Sequence, residues 1–317
     1  MPLVYLDNNA TTRLDPEVLA AMLPSLTQAY GNPSSLHALG REAADAVERA
    51  RRQVQALLGA APDDQLLFTS GATESNHTAL HAALDARPGR DELVISAVEH
   101  PGVLATCAHL ERTRGLTLTV VPVDESGRLD LEAYQRALGP RTALVSVMWA
   151  NNETGTVFDV ERLAGLAHQA GALFHTDAVQ AVGRLPIRLA GRTIDLLTLS
   201  AHKLHGPKGV GALAIRAGLR LSPLFRGGKQ ERGRRAGTQN VPGIVGLGRA
   251  AELALRHLAD EDTRVRALRD ALEDGVLERI PGARVHGDLA HRLGNTSCLT
   301  FERVDGEALV ALLDRAD

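Results

Sequence analysis

The chain has 317 residues, 44% hydrophobic and 23% charged, an ordinary globular composition with room for two domains that excludes disordered, collagen-like and disulfide-stapled classes. Its 35 basic residues against 38 acidic ones leave a net charge of -3, so neither a nucleic-acid nor a membrane partner is expected on electrostatic grounds. The two cysteines, Cys107 and Cys298, have neither CxxC nor Cys/His ligand spacing, and Met1 to Asp7 lacks a basic segment ahead of an apolar run; the expectation is a cytosolic protein without zinc knuckle, disulfide framework or membrane span.

In chain order, Asp15 and Pro16 supply the cap and first turn of a helix, and Val47, Ala50, Val54 and Leu57 form the apolar stripe of a second. Short apolar runs then read as buried strands: Leu66 to Phe68, Leu93 to Ile95, Leu116 to Val121, Ala143 to Met148, Ala172 to Phe174, Leu196 to Leu199 and Val210 to Ile215. Helical patterns alternate with them, at Leu131, Tyr134 and Leu138, and at Val160, Leu163, Ala164 and Ala167 with Gly171 as a stop. Such alternation predicts an α/β fold, a mainly parallel sheet flanked by helices. A Gly/Arg-rich loop from Arg226 to Thr238 leads into a helix with Ile244, Leu247, Ala251, Leu255 and Leu258. An acidic break at Asp260 to Asp262 starts another helix, and a strand at Ser297 to Phe301 and a helix at Gly306 to Leu313 follow. The boundary placed there gives a large domain over 15–258 and a smaller α/β domain from 1–14 and 259–317.

Of the 35 basic residues only three are lysines, Lys203, Lys208 and Lys229. A chain this biased toward arginine keeps lysine where guanidinium cannot substitute, and a nucleophilic amine is the clearest such role. Ligands of open α/β sheets bind beyond the carboxyl ends of the strands. The first strand is followed there by Ser70, Gly71, Ala72, Thr73 and Glu74 opening a helix, a turn whose free amides and hydroxyls suit a phosphate. Glu99, His100 and Pro101 follow the second strand, and Trp149, Asn151, Asn152, Glu153 and Gly155 the fourth. The fifth gives His175, Asp177 and Gln180, and the sixth Ser200, Ala201, His202 and Lys203. A phosphate cradle, a histidine, a carboxylate and an amine on separate strand ends meet the needs of pyridoxal 5'-phosphate: an amine to form the imine, a carboxylate to keep the ring nitrogen protonated, donors for the phosphate.

With these motifs the chain resembles the cysteine desulfurases of aminotransferase class V, of the nitrogen-fixation and housekeeping iron-sulfur branch (NifS/IscS type). The likeness runs through Tyr5 to Asn9, Gly31 to His37, Ser70 to Asn76, Glu99 to Pro101, Trp149 to Gly155, His175 to Gln180, Ser200 to Gly209 and Gly227 to Thr238. It implies the type I fold of pyridoxal-phosphate transferases, with Lys203 as internal aldimine, Asp177 on the pyridine nitrogen, Gln180 on the phenolic oxygen and His100 stacked over the ring. Asn152 faces cofactor and substrate, and Ala72, Thr73, Ser200 and His202 hold the phosphate. Thr238 reaches it from the other subunit of a homodimer with a shared site. The implied reaction turns L-cysteine into L-alanine and leaves a protein persulfide for an iron-sulfur scaffold protein, with Lys203 as proton carrier and His100 assisting.

Family members carry the persulfide cysteine, and later an arginine for the substrate carboxylate, in a region that the 317 residues do not contain. Cys107 on a helix and Cys298 on a strand both read as buried, inert thiols. The expectation is therefore a chain that forms the Lys203 link but turns cysteine over poorly or not at all, with Leu309, Leu312 and Leu313 lacking cover. A non-catalytic cofactor-binding remnant or scaffold partner, and a lyase or aminotransferase of the same family, remain as alternatives. A metal hydrolase drawn from His175, Asp177, His202 and His205 leaves Lys203 and the phosphate-like loop unexplained. Gly246, Gly248 and Ala251 satisfy G-x-G-x-x-A, but no strand precedes them, which argues against a dinucleotide site.

Overall fold

A computed structural model describes residues 4–315. Asp15 caps α1 (Pro16–Thr27) by accepting the Glu17 N–H at 2.7 Å, with Pro16 in the first turn where its missing N–H costs nothing. In α2 (Ala38–Leu57) the stripe Val47, Ala50, Val54 and Leu57 is buried. Strand and helix then alternate through β1 (Gln65–Thr69), α3 (Ala72–Asp85), β2 (Glu92–Ser96), α4 (Pro101–Arg114), β3 (Thr117–Val121), α5 (Leu131–Ala137), β4 (Thr142–Ser146), α6 (Val160–Gln169), β5 (Leu173–Asp177), β6 (Leu196–Ser200) and β7 (Gly211–Ile215). Every expected apolar run holds one of these strands.

The seven strands form one sheet in the order β1-β7-β6-β5-β4-β2-β3. Only β7 runs antiparallel to its neighbours, β1 and β6; the other pairs are parallel. All residues of β4, β5, β6 and β7 are buried, as a sheet covered on both faces requires. Successive side chains alternate between two cores. On one face Leu93, Leu173, Leu196 and Leu213 pack against Leu80 and Ala83 of α3 and Leu110 of α4. On the other, Val145, Phe174, Leu197 and Ala212 pack with α2 and α6 residues. The period of two puts His175 and Asp177 on the α3 face with Leu173.

The acidic run at Asp260 to Asp262 does not interrupt the chain. α7 (Val241–Asp260) continues through a π-helical turn at Glu261–Val265 into α8 (Arg266–Arg279). Neither Gly nor Pro stands there to stop a helix, Glu261 keeps helical angles (φ -63, ψ -42), and Arg266 pairs with Asp262 one turn back. Leu255, expected in the apolar stripe of α7, faces solvent. Gly246 and Gly248 lie inside this helix: a Cβ at 246 would stand 2.7 Å from Met22 Sδ, and one at 248 2.6 Å from the Ala50 backbone. The G-x-G-x-x-A spacing serves close helix packing. A short ribbon, β8 (Arg284–Val285) against β9 (Leu299–Thr300), precedes α9 (Gly306–Leu313). On α9, Leu312 and Leu313 are exposed and Leu309 is half-buried. Among the described residues no helix is long and apolar enough to cross a membrane.

The loop 226–238 is held to the sheet by a buried ion pair. Arg51 on α2 meets both oxygens of Glu231 at 3.0 and 3.1 Å, its guanidinium lies 4.7 Å from the Phe68 ring centre, and the Phe68 N–H donates to Glu231 at 3.1 Å. Glu231 and Arg232 adopt left-handed angles (φ 46 and 57), unfavourable for side chains with a Cβ, which the clasp must offset. Replacing Glu231→Ala removes the buried partner of Arg51 and leaves it only the more exposed Glu48, at 3.0 Å, and the Leu66 carbonyl; the change is expected to lower stability by about 2 kcal/mol. The measurement is the urea midpoint at unchanged m; an unmoved midpoint would show that the clasp contributes nothing.

Candidate active site

At the carboxyl ends of the parallel strands a cleft of ≈ 1520 Å³ opens between the sheet and the C-terminal elements, which contribute Leu268, Leu272, Leu299 and Val310 to its far wall. Nine of the ten predicted site residues line it: Ala72, Thr73, His100, Asn152, Asp177, Gln180, Ser200, His202 and Lys203. Thr238 does not. It is exposed on the clasped loop, whose Arg235 is bound to Glu74 at 2.9 and 3.2 Å.

The cradle is built by the turn from β1 into α3. No side chain caps α3, so the first-turn amides at Ala72 and Thr73 open toward the cleft. Glu74 instead takes the Ser70 N–H at 2.8 Å. Gly211 on β7 lets this turn approach, since a Cβ there would stand 2.8 Å from the Gly71 backbone. Ser200 ends β6, and His202 and Lys203 follow in a single 3-10 turn, Ala201–Lys203. Hydroxyls, an imidazole and helix-start amides thus line the same cleft, donors of the kind that suit an anion.

Asp177, at the end of β5, is 5% exposed. Asn76 Nδ2 donates to it at 2.7 Å and the Val179 N–H at 3.1 Å. Burial pushes its carboxyl above the ordinary range, while these two bonds and the charges of His100 and Lys203 draw it back. Both donors that reach it are neutral, and among the described residues no cation is bonded to it. Lys203 Nζ donates to the Ala10 carbonyl at 2.8 Å and also to the Asn9 carbonyl. Burial, then the nearby Arg184, lower the pKa of its amine, and Asp177 and Asp7 oppose them. His100 caps α4 through Nδ1, which accepts the Gly102 N–H at 3.0 Å. Behind it Glu99 is buried, bonded to Ser96 Oγ at 2.5 Å and the Met148 N–H at 2.8 Å, and burial raises its carboxyl to about 8.

Among the residues bonded to the predicted set, Asn9, Asn76 and Arg184 were given no role from the sequence. Asn76 stands one turn after Ala72, a spacing that places it on the cradle face of α3. Asn9 has no local signal, yet its side chain donates to the Asn152 carbonyl at 3.1 Å and Thr296 Oγ1 at 3.0 Å and accepts from Asn295 at 3.0 Å. Among the described residues no group of three or more His, Cys, Asp or Glu is placed to hold a metal ion. His175 is fixed between Ser146 Oγ at 2.8 Å and Thr198 Oγ1 at 3.1 Å, and burial lowers it to about 3, so it stays neutral. Lys208 lines the cleft at its exposed rim, and Lys229 sits on the exposed loop.

The two thiols differ. Cys107 is fully buried in α4, and burial pushes it up to about 12. Cys298, expected inside a strand and buried, is only half-buried and lines the cleft. Only Leu299 and Thr300 pair in that ribbon, so Cys298 lies just outside it, its carbonyl taken by the His286 N–H at 2.8 Å. Burial and the Glu153 charge raise its thiol too. Iodoacetamide is expected to modify Cys298 slowly in the native protein and Cys107 only in denaturant; equal rates by peptide mapping would contradict this burial.

The aminotransferase class-V family model matches residues 4–317. A cysteine desulfurase of Gluconacetobacter diazotrophicus is 61% identical over 316 residues, covering 100% of this chain and 79% of its own length. Among solved structures, a NifS-like protein superposes with a TM-score of 0.94 at 40% identity, covering 99% of this chain and 86% of that one. SspA in complex with cysteine superposes with a TM-score of 0.86 at 33% identity, covering 99% and 87%. With the family match spanning nearly every residue and the cleft set on the strand ends, the chain belongs to the aminotransferase class-V family, in its pyridoxal-phosphate-dependent cysteine desulfurase branch.

Proposed function

We propose that this chain binds pyridoxal 5'-phosphate through Lys203 and serves a cysteine desulfurase reaction, L-cysteine to L-alanine with sulfur passed on for iron-sulfur cluster assembly. The observation that carries it is the meeting of Lys203 and the buried Asp177 in one cleft with an uncapped helix start. The solved relative that holds cysteine supports the substrate class. When bound, the cofactor supplies an electron-withdrawing ring that acidifies the α-proton of an attached amino acid.

The residues of this chain do the rest. The amides at Ala72 and Thr73, with Thr73, Ser200 and His202, would hold the phosphate, and Asp177 the protonated ring nitrogen. A protonated ring nitrogen would give Asp177 a cationic partner and so favour its ionised form. His100 and Asn152 would flank ring and substrate, and Gln180 would donate to the phenolic oxygen. Lys203, whose amine is easier to deprotonate than a free lysine's, moves the proton at the substrate α-carbon. Thr238, exposed and off its own cleft, would complete the phosphate site of a second copy in a homodimer. In this reading 15–258 form the cofactor-binding unit, and 1–14 with 259–317 the smaller one. The cytosol, where thiols stay reduced, is the compartment. The thiolate that takes the substrate sulfur, becoming the persulfide as alanine leaves, would belong to a separate acceptor thiol, because Cys107 is sealed and burial with Glu153 raises the thiol of Cys298.

The test is reconstitution. With pyridoxal phosphate, the purified chain is expected to show a visible band that borohydride removes, and Lys203→Ala to lack any covalently held chromophore. A Lys203→Ala protein that kept it would overturn the assignment. If the band forms but L-cysteine yields no alanine when an exogenous thiol acceptor is supplied, the chain binds cofactor without the proposed chemistry.

A further inference from the structure

We propose that Arg184 is a positioning residue that fixes the side-chain amide of Gln180 with its NH2 end toward the cofactor. This rests on the pyridoxal phosphate reading. A glutamine amide has two ends of nearly equal shape and opposite hydrogen-bonding character, so its orientation is decided by its partners. Arg184 Nη1 lies 2.6 Å from Gln180 Oε1 and 3.1 Å from the Gln180 backbone carbonyl. A guanidinium only donates, so the atom it faces at that distance must be the amide oxygen. The other end is constrained as well: Gln180 Nε2 donates to the Asn9 carbonyl at 3.0 Å, and a carbonyl only accepts. Reversal of the amide would set donor against donor at Arg184 and acceptor against acceptor at Asn9. One N–H of Nε2 goes to Asn9, and the second is left for the cleft that Gln180 lines.

The placement of Arg184 explains why an arginine stands there. It sits in the turns after β5, close enough to Lys203 to lower the pKa of that amine, and its charge faces Glu261 in the π-helical turn. Burial lowers the pKa of Arg184 itself, and a guanidinium keeps its proton under such a shift where an ammonium gives it up. The charged groups facing Lys203 are Arg184, Asp177 and Asp7, with His202 beside it in the chain.

The test is a pH titration of the visible band of the reconstituted protein, together with cofactor affinity from equilibrium dialysis. Loss of the donor on the phenolic oxygen and loss of the cation act in the same direction, so Arg184→Met is expected to raise the apparent pKa of the lysine-bound chromophore by about one unit and to weaken cofactor binding. In a Gln180→Ala background the same change should move the pKa by clearly less, only by what the lost cation contributes, because the amide it orients is gone. Arg184→Lys, which keeps charge and a single donor, should shift it part of the way, and carries the test should Arg184→Met not fold. An unshifted titration, or an equal shift in both backgrounds, would overturn the positioning role. A Lys203→Ala protein that retained the chromophore would instead overturn the cofactor reading beneath it.

Discussion

The site depends on a carboxylate taken out of water. Asp177 is buried at the end of a central strand, and a buried acid must find donors or lose its charge. Asn76 and the Val179 amide supply two, tying β5 to α3, the helix whose first turn forms the anion cradle. The carboxylate end of the cleft and the uncapped helix start are therefore set by the same helix. Their separation follows from the rise of α3 over one turn, between Ala72 and Asn76, and from nothing more flexible.

Opposite that wall, the N-terminal segment acts as a bracket. Asn9 holds the Asn152 carbonyl, Asn295 and Thr296, and its own carbonyl receives both Gln180 and Lys203. Thr12 fastens the same segment to the His202 carbonyl at 2.9 Å and to the His205 N–H at 2.8 Å. A stretch without helix or strand thereby joins the turn bearing the lysine to the elements that close the far side of the cleft.

Much of this was legible in the sequence, for reasons that also mark where reading stops. The strands were visible because residues buried on both faces leave unbroken apolar runs, and α2 because its stripe repeats at helical spacing. Lys203 stood out by the scarcity of lysine, and the rest of the rim by its position after each strand. Asn9 was not legible as a hub, since its partners lie more than a hundred residues away. Arg184 was one arginine among many. Cys298 was misplaced because Leu299 and Phe301, alternating with Thr300, imitate a longer strand than the two residues that pair. The charges at 260–262 looked like a break, although charge alone does not end a helix when the backbone can continue. Thr238, expected at the phosphate of a second copy, lies exposed and off the cleft of its own chain.

The π-helical turn at Glu261–Val265 has a rotational consequence. A wide turn of this kind acts as one residue inserted into an α-helical register, and one residue corresponds to about 100° around the axis. Everything downstream is swung by that angle relative to α7. Leu268, Arg269 and Leu272 line the cleft, while Glu273 turns inward onto Arg292. The azimuth of the far wall is thus written in a single surplus residue, not in the packing of α7.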